Sequence, residues 1–85
     1  MEKLKSLTEF KEKFNEGIES GKEFVSVHIE NKDMNGSEII INSNKNFEYK
    51  LKYYLNSYNE DLTLKAYNRI KITGIEFNHI DNSDF

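Results

Sequence analysis

Apolar positions fall into two helical stripes and two alternating runs. Leu7, Phe10, Phe14 and Ile18 recur at spacings of three and four, which draws one apolar line down a helix. Ser6-Leu7-Thr8-Glu9 is a capping-box pattern at its start, and Gly21 supplies the left-handed residue that ends it. A helix over 7–20 follows. Gly17 lies inside it at a cost of about 1 kcal/mol relative to alanine, so it either admits the close approach of another backbone or is tolerated. Phe47, Leu51, Tyr54, Leu55 and Tyr58 form a second stripe, which predicts a helix over 47–58 capped by Asn44 or Asn46. Glu48 and Lys52 stand four apart on it as a favourable pair.

The alternating runs predict hairpins. Val25, Val27 and Ile29 alternate with Ser26, His28 and Glu30, and Asn35-Gly36 then separates them from Ile39-Ile40-Ile41. A three-residue loop, Met34-Asn35-Gly36, sets Ile29 opposite Ile41 and Val27 opposite Ser43, with Gly36 at a left-handed bulge position. This predicts a hairpin over 23–43. Leu62, Leu64 and Ala66 form a second run, and a turn at Tyr67-Asn68-Arg69 leads back through Ile70 and Ile72. Pairing about Asn68 matches Ala66 with Ile70 and Leu64 with Ile72, which predicts a hairpin over 62–77. Beyond Ile72 the apolar parity changes to Ile75 and Phe77, so a bulge is expected at Thr73-Gly74. The polar stretch 78–85 reads as a flexible tail.

The expected architecture is a single α+β domain over 1–85, in the order α-β-β-α-β-β. Two helices would pack on one face of a four-stranded, mostly antiparallel sheet, because that arrangement buries both stripes. A shift of 37 residues aligns Phe10 with Phe47, Lys13 with Lys50, Ser20 with Ser57 and Glu23 with Glu60. This reads as either a duplication or the shared demands of one structural unit.

Composition narrows the chemistry. With no cysteine, the 85-residue chain has no disulfide framework, thiolate metal site or thiol nucleophile. No apolar run approaches the ~18 residues of a membrane span, and no signal core follows Met1, so a cytoplasmic location is expected. Charge is uneven: residues 1–42 sum to -3, residues 43–72 to +3 and residues 73–85 to -3. A basic island thus lies between acidic flanks. Eleven of the twelve basic residues are lysine, alongside eleven asparagines and nine isoleucines, a usage that AT-rich coding DNA favours.

Catalytic patterns are not evident. His28 sits on the polar alternation of its strand and reads as a plain surface residue. His79 near Asp81 and Asp84 is a weak divalent-cation pattern inside a polar tail. Asp33-Met34-Asn35-Gly36 lacks the length and final glutamate of a calcium loop. Glu60 and Asp61 are adjacent and would point apart at a helix-to-strand junction. No metal, cofactor or catalytic residue is assigned, and a non-enzymatic protein is expected.

The second helix carries the strongest binding pattern. Tyr49, Tyr53 and Lys52 lie off its apolar stripe, near Lys45 and Lys50, with Tyr67 and Arg69 following. Exposed tyrosines beside lysines suit a protein interface, or base stacking with phosphate attraction on single-stranded nucleic acid. On the first helix Glu12, Glu16 and Glu19 share one acidic face, which can present charge where a nuclease expects phosphate. The general character resembles the small proteins that phages of low-GC bacteria use against host defence, such as anti-CRISPR inhibitors. That resemblance covers size, absence of cysteine and proline, acidity and α+β make-up, and no specific residue. It implies a stoichiometric inhibitor of a host protein. The expected function is therefore a protein-binding module acting through Tyr49, Lys52, Tyr53, Glu12, Glu16 and Glu19, with nucleic-acid binding as the alternative. If the last strand lies at the sheet edge, its free backbone groups offer one route to a homodimer, which Lys71 and Glu76 on the opposite alternation discourage.

Overall fold

Ser6 opens the first helix with its hydroxyl accepting from the Glu9 amide at 3.1 Å. The Glu9 carboxylate reaches back one residue further than a capping box requires and accepts from the Lys5 amide at 3.2 Å. The computed structural model describes residues 2–77; the expected tail over 78–85 and the His79 pattern lie outside the described residues. The helix, α1, spans Leu7–Glu19, one residue shorter than expected. Gly21, at φ +73°, ends it: its amide donates to the Ile18 carbonyl and the Lys22 amide to the Gly17 carbonyl.

Three long antiparallel strands and one very short one form the sheet. They are β1 (Glu2–Lys3), β2 (Phe24–Asn31), β3 (Gly36–Ser43) and β4 (Ile70–Glu76), in the spatial order β1-β4-β2-β3. The second helix, α2, spans Phe47–Ser57, close to its expected bounds. A single 3₁₀ turn, Asn44–Asn46, precedes it. Asn46 stands at the N-cap position, one of the two expected. Ser43 accepts from the Lys45 amide at 3.3 Å, while Asn46 makes no capping bond through its side chain.

The first hairpin forms, with a register the parity argument did not choose. Asn31 pairs with Gly36, Ile29 with Glu38, Val27 with Ile40 and Val25 with Asn42, across the four-residue loop 32–35. The Asn31 side chain accepts from the Asp33 amide at 3.0 Å and its carbonyl from the Met34 amide at 3.1 Å, which builds the turn from Asn31 rather than from Asn35-Gly36. Gly36 is not left-handed. Ile40 consequently faces the helices, while Ile39 and Ile41 face away from them.

The second hairpin is replaced by an irregular segment and one strand. Residues 62–66 make only the isolated bridges Tyr58 to Leu64 and Thr63 to Lys71. The fourth strand of the sheet is instead β1, two polar residues without a sequence signal, which pair with Gly74 and Ile75. Because β1 and β2 flank β4, the last strand is not a sheet edge, and the homodimer route through it has no free ladder to use. The expected bulge is present: His28 pairs with Gly74 and Ile29 with Ile72, leaving Thr73 as the extra residue. The 37-residue shift has no structural counterpart beyond the helices, since a hairpin follows α1 and a loop with a single strand follows α2.

Both helices lie on one sheet face. Phe10, Phe14, Tyr54, Val25, Val27, Leu62, Ile72 and Ile75 are all buried there. The helices meet through aromatic rings, Phe10 against Tyr54 at 5.3 Å and Phe14 against Phe47 at 5.6 Å, both edge-on. Gly17 is explained by close approach of side chains: a Cβ there would lie 2.8 Å from the Phe77 ring and 3.0 Å from Val25. No helix among the described residues is long and apolar enough to cross a membrane.

Candidate binding surface

The pattern that buries Tyr54 and Tyr58 leaves the other tyrosines of α2 outside. Tyr49, Lys52, Tyr53 and Asn56 recur at helical spacing and are all exposed, Tyr49 at 73% and Tyr53 at 44%. Lys50 stands 5.0 Å from the centre of the Tyr53 ring and 5.4 Å from that of Tyr54. The cation thus braces Tyr53 in place. Sequence reasoning placed Tyr49, Lys52 and Tyr53 together, and the structure does bring them onto one exposed stripe.

Beside Tyr53 opens a cavity of about 410 Å³, between α2 and the tip of the β2–β3 hairpin. Ile40, Tyr53, Tyr58, Leu64 and Ile70 form its apolar walls, and Met34 from the hairpin loop stands exposed at its rim. Among the described residues Glu38 is the one charged side chain lining it. The volume lies in the range of sites that receive a ligand or a partner's side chain. Tyr49 and Lys52 do not line it.

One carboxylate ties two of these walls together. Asp33, in the hairpin loop, accepts from the Tyr67 hydroxyl and from Arg69 Nε. The Lys32 amide adds a bond to the Arg69 carbonyl at 3.0 Å. Tyr67 and Arg69, grouped by sequence with the basic aromatic surface, are thus occupied within the protein.

Tyr58 in the cavity wall and Tyr54, 6.1 Å from it between ring centres, are buried phenols. Burial, foremost, pushes the Tyr58 hydroxyl up to about 12, and Tyr53, Tyr54 and the Glu38 carboxylate add to the shift. Burial likewise raises Tyr54, against the opposing pull of its bond to Asn42 Oδ1 at 3.4 Å. Asn42 is itself buried and donates to the carbonyls of Val25 and Ile40. Both tyrosines therefore remain neutral far above physiological pH.

Glu12, Glu16 and Glu19 are exposed on α1, where Glu16 pairs with Lys13 at 3.3 Å. None lines the cavity, so the structure separates the acidic stripe from that site. Glu60 and Asp61 are not a bare junction. Glu60 caps α1 from a distant loop, its carbonyl accepting from the Leu7 amide at 2.8 Å and its carboxylate from the Thr8 amide at 3.2 Å. Asp61 accepts from the Thr63 hydroxyl and amide. The His28 side chain is more enclosed than a surface residue, 14% exposed, with Nε2 3.4 Å from the Glu76 carboxylate and, among the described residues, without a hydrogen-bond partner. Among the described residues no group of three or more His, Asp or Glu converges as a metal site. Sequence reasoning missed Met34, Ile40, Leu64 and Ile70 as cavity residues, because only the fold brings these separated positions together. No family model, curated protein or solved structure matches this chain.

Proposed function

We propose that the chain is a non-enzymatic protein-binding module that receives an apolar side chain of its partner in the cavity beside Tyr53. The observation that carries this reading is an apolar cavity rimmed by two exposed, contact-rich side chains, Tyr53 and Met34. Tyrosine and methionine supply much contact area, and aromatic anchors dominate interface energetics. Glu38 on the lining favours a basic residue beside the anchor. Stoichiometric inhibition of a host-defence protein is the biological role that fits the resemblance in size and composition.

Single-stranded nucleic acid is the second reading, supported by Tyr49 and Tyr53 exposed one turn apart with Lys52 between them. Peptides selected from a display library against the immobilised protein test the first reading. The expected ligands carry an apolar residue next to Lys or Arg, shift the amide signals of Ile40 and Leu64, and bind Tyr53→Ala at least ~10-fold more weakly, about 1.4 kcal/mol. Salt-sensitive binding of labelled oligonucleotides, lost in Tyr53→Ala with Lys52→Ala and accompanied by no peptide ligand, overturns it in favour of the second.

A further inference from the structure

The two edges of the sheet differ. One is β1, two residues long and carrying Lys3. The other is β3, eight residues long, with Glu38 as its single charged side chain and no lysine, proline or bulge to blunt it. The Asn44 amide donates to the Glu23 carbonyl at 2.9 Å, so the even-numbered positions of this strand turn their backbone groups toward β2. Ser37, Ile39, Ile41 and Ser43 therefore turn theirs outward. On the face away from the helices, Ile39 and Ile41 are also 54% and 52% exposed.

We infer that a second copy of this chain pairs with that edge, β3 against β3, about a two-fold axis at Ile40. The strand reads almost identically in both directions: Ser37, Glu38, Ile39, Ile40, Ile41, Asn42, Ser43. An antiparallel pair centred on Ile40 sets Ile39 against Ile41 of the copy and Ser37 against its Ser43. Among the described residues, these odd-numbered positions are the ones whose amides and carbonyls have no ladder partner. Four isoleucines then meet on the outer face, where cross-strand apolar pairs stabilise a ladder. Glu38 meets Asn42 of the copy instead of another Glu38, so no like charges oppose. Shifting the register by one pleat in either direction sets isoleucine against serine and breaks this match. A two-fold perpendicular to the sheet also leaves both pairs of helices on one side and brings the two cavities together across Ile40. This pairing is independent of what occupies the cavity.

Sedimentation of the wild-type chain from ~5 to ~500 μM tests the pairing; a lone strand pair is at the small end of interfaces, so a dissociation constant on the order of 10–100 μM is expected. Ile39→Lys with Ile41→Lys alters only exposed side chains and sets lysine opposite lysine twice, so it should be monomeric throughout. Ile39→Glu with Ile41→Lys sets opposite charges across the same pairs and should still dimerise. The register has its own test, clean in a chain without cysteine. Ile40→Cys should cross-link to its copy under mild oxidation, since opposed residues of such a pair lie about 4.5 Å apart at Cα. Ser37→Cys should not, because two copies of that position lie roughly 20 Å apart along the strands. A wild-type monomer at ~500 μM, equal association of the double-lysine variant, or equal cross-linking of Ser37→Cys overturns the proposal.

Discussion

Residues 24–43 and residues 58–76 both line the helix-bearing side of the sheet, and they are held by different physics. The first region is a ladder of eight backbone pairs, in which Val25, Val27 and Ile29 of β2 and Asn42 of β3 reach the core. The second makes two isolated bridges before β4 begins and is held by local bonds around buried side chains. Its pivot is Leu62, fully buried at φ +75°. A left-handed conformation costs a residue with a Cβ about 1–2 kcal/mol, and full burial of a leucine returns about 1.5–3 kcal/mol. Around it Leu62 donates to the Asn59 carbonyl, Ile72 donates to Leu62, and Leu64 donates to Ile70. A ladder spreads its stability over many weak pairs, whereas the loop concentrates it in one residue.

That contrast breaks most visibly at its two extremes. Leu62→Ala should lower unfolding stability by about 2–5 kcal/mol, the range for emptying a fully packed leucine site. Ile41→Ala, on the exposed side of the ladder, should stay within about 0.5 kcal/mol of wild type when measured on the dilute monomer. Urea titrations of both variants decide it, and equal losses would dissolve the distinction between the regions.

A middle-sized effect sharpens the comparison inside the ladder. Asn42 is its one buried position with a polar side chain facing the helices, bonded to Val25, Ile40 and Tyr54. Asn42→Ala leaves the Tyr54 hydroxyl without that acceptor and should cost about 1–3 kcal/mol. If the same urea titration finds Asn42→Ala no worse than Ile41→Ala, the link between β3 and α2 is not energetic.

The smallest expected effect is a pH dependence confined to the loop. Thr63, chiefly through its hydroxyl and then through its amide, holds the Asp61 carboxyl below its ordinary value of 3.8. A depressed folded-state value means the unfolded chain binds the proton more readily in acid. The stabilisation is therefore present at neutral pH and is lost as pH falls from about 3.8 through the lower folded value. Opening of the amides over 59–63, read as exchange relative to the intrinsic rate at each pH, should rise into acid in wild type and be flat in Asp61→Asn. A rise of equal size in both would remove Asp61 from the account.

Local signals carried both helices. Stripes at 3.6-residue periodicity, the Ser6 cap and the Gly21 stop need only neighbours in sequence, and each helix end lies within one residue of expectation. The exposed stripe of Tyr49, Lys52 and Tyr53 follows from the same periodicity. The run Leu62–Leu64–Ala66 had the alternation of a strand without its structure, because two apolar residues spaced by two fit a loop that buries the first and half-buries the second. The hairpin register departs from parity for a related reason. Parity assumes that isoleucines on both strands seek one face, whereas an edge strand leaves its outer face open and lets Ile39 and Ile41 turn away from the core.

Sequence by itself determined the helices, the existence of the first hairpin, the bulge at Thr73 and the absence of cysteine chemistry. Tertiary structure alone decided that β4 lies inside the sheet, that Glu60 caps α1 across 52 residues and that Asp33 joins the hairpin tip to Tyr67 and Arg69. The division has a physical cause. Helix periodicity and capping are satisfied by bonds between residues at most four apart, and so are written locally. Strand order, the partners of a two-residue strand and the walls of a cavity depend on which distant surfaces exclude water together, a choice made by the whole chain at once.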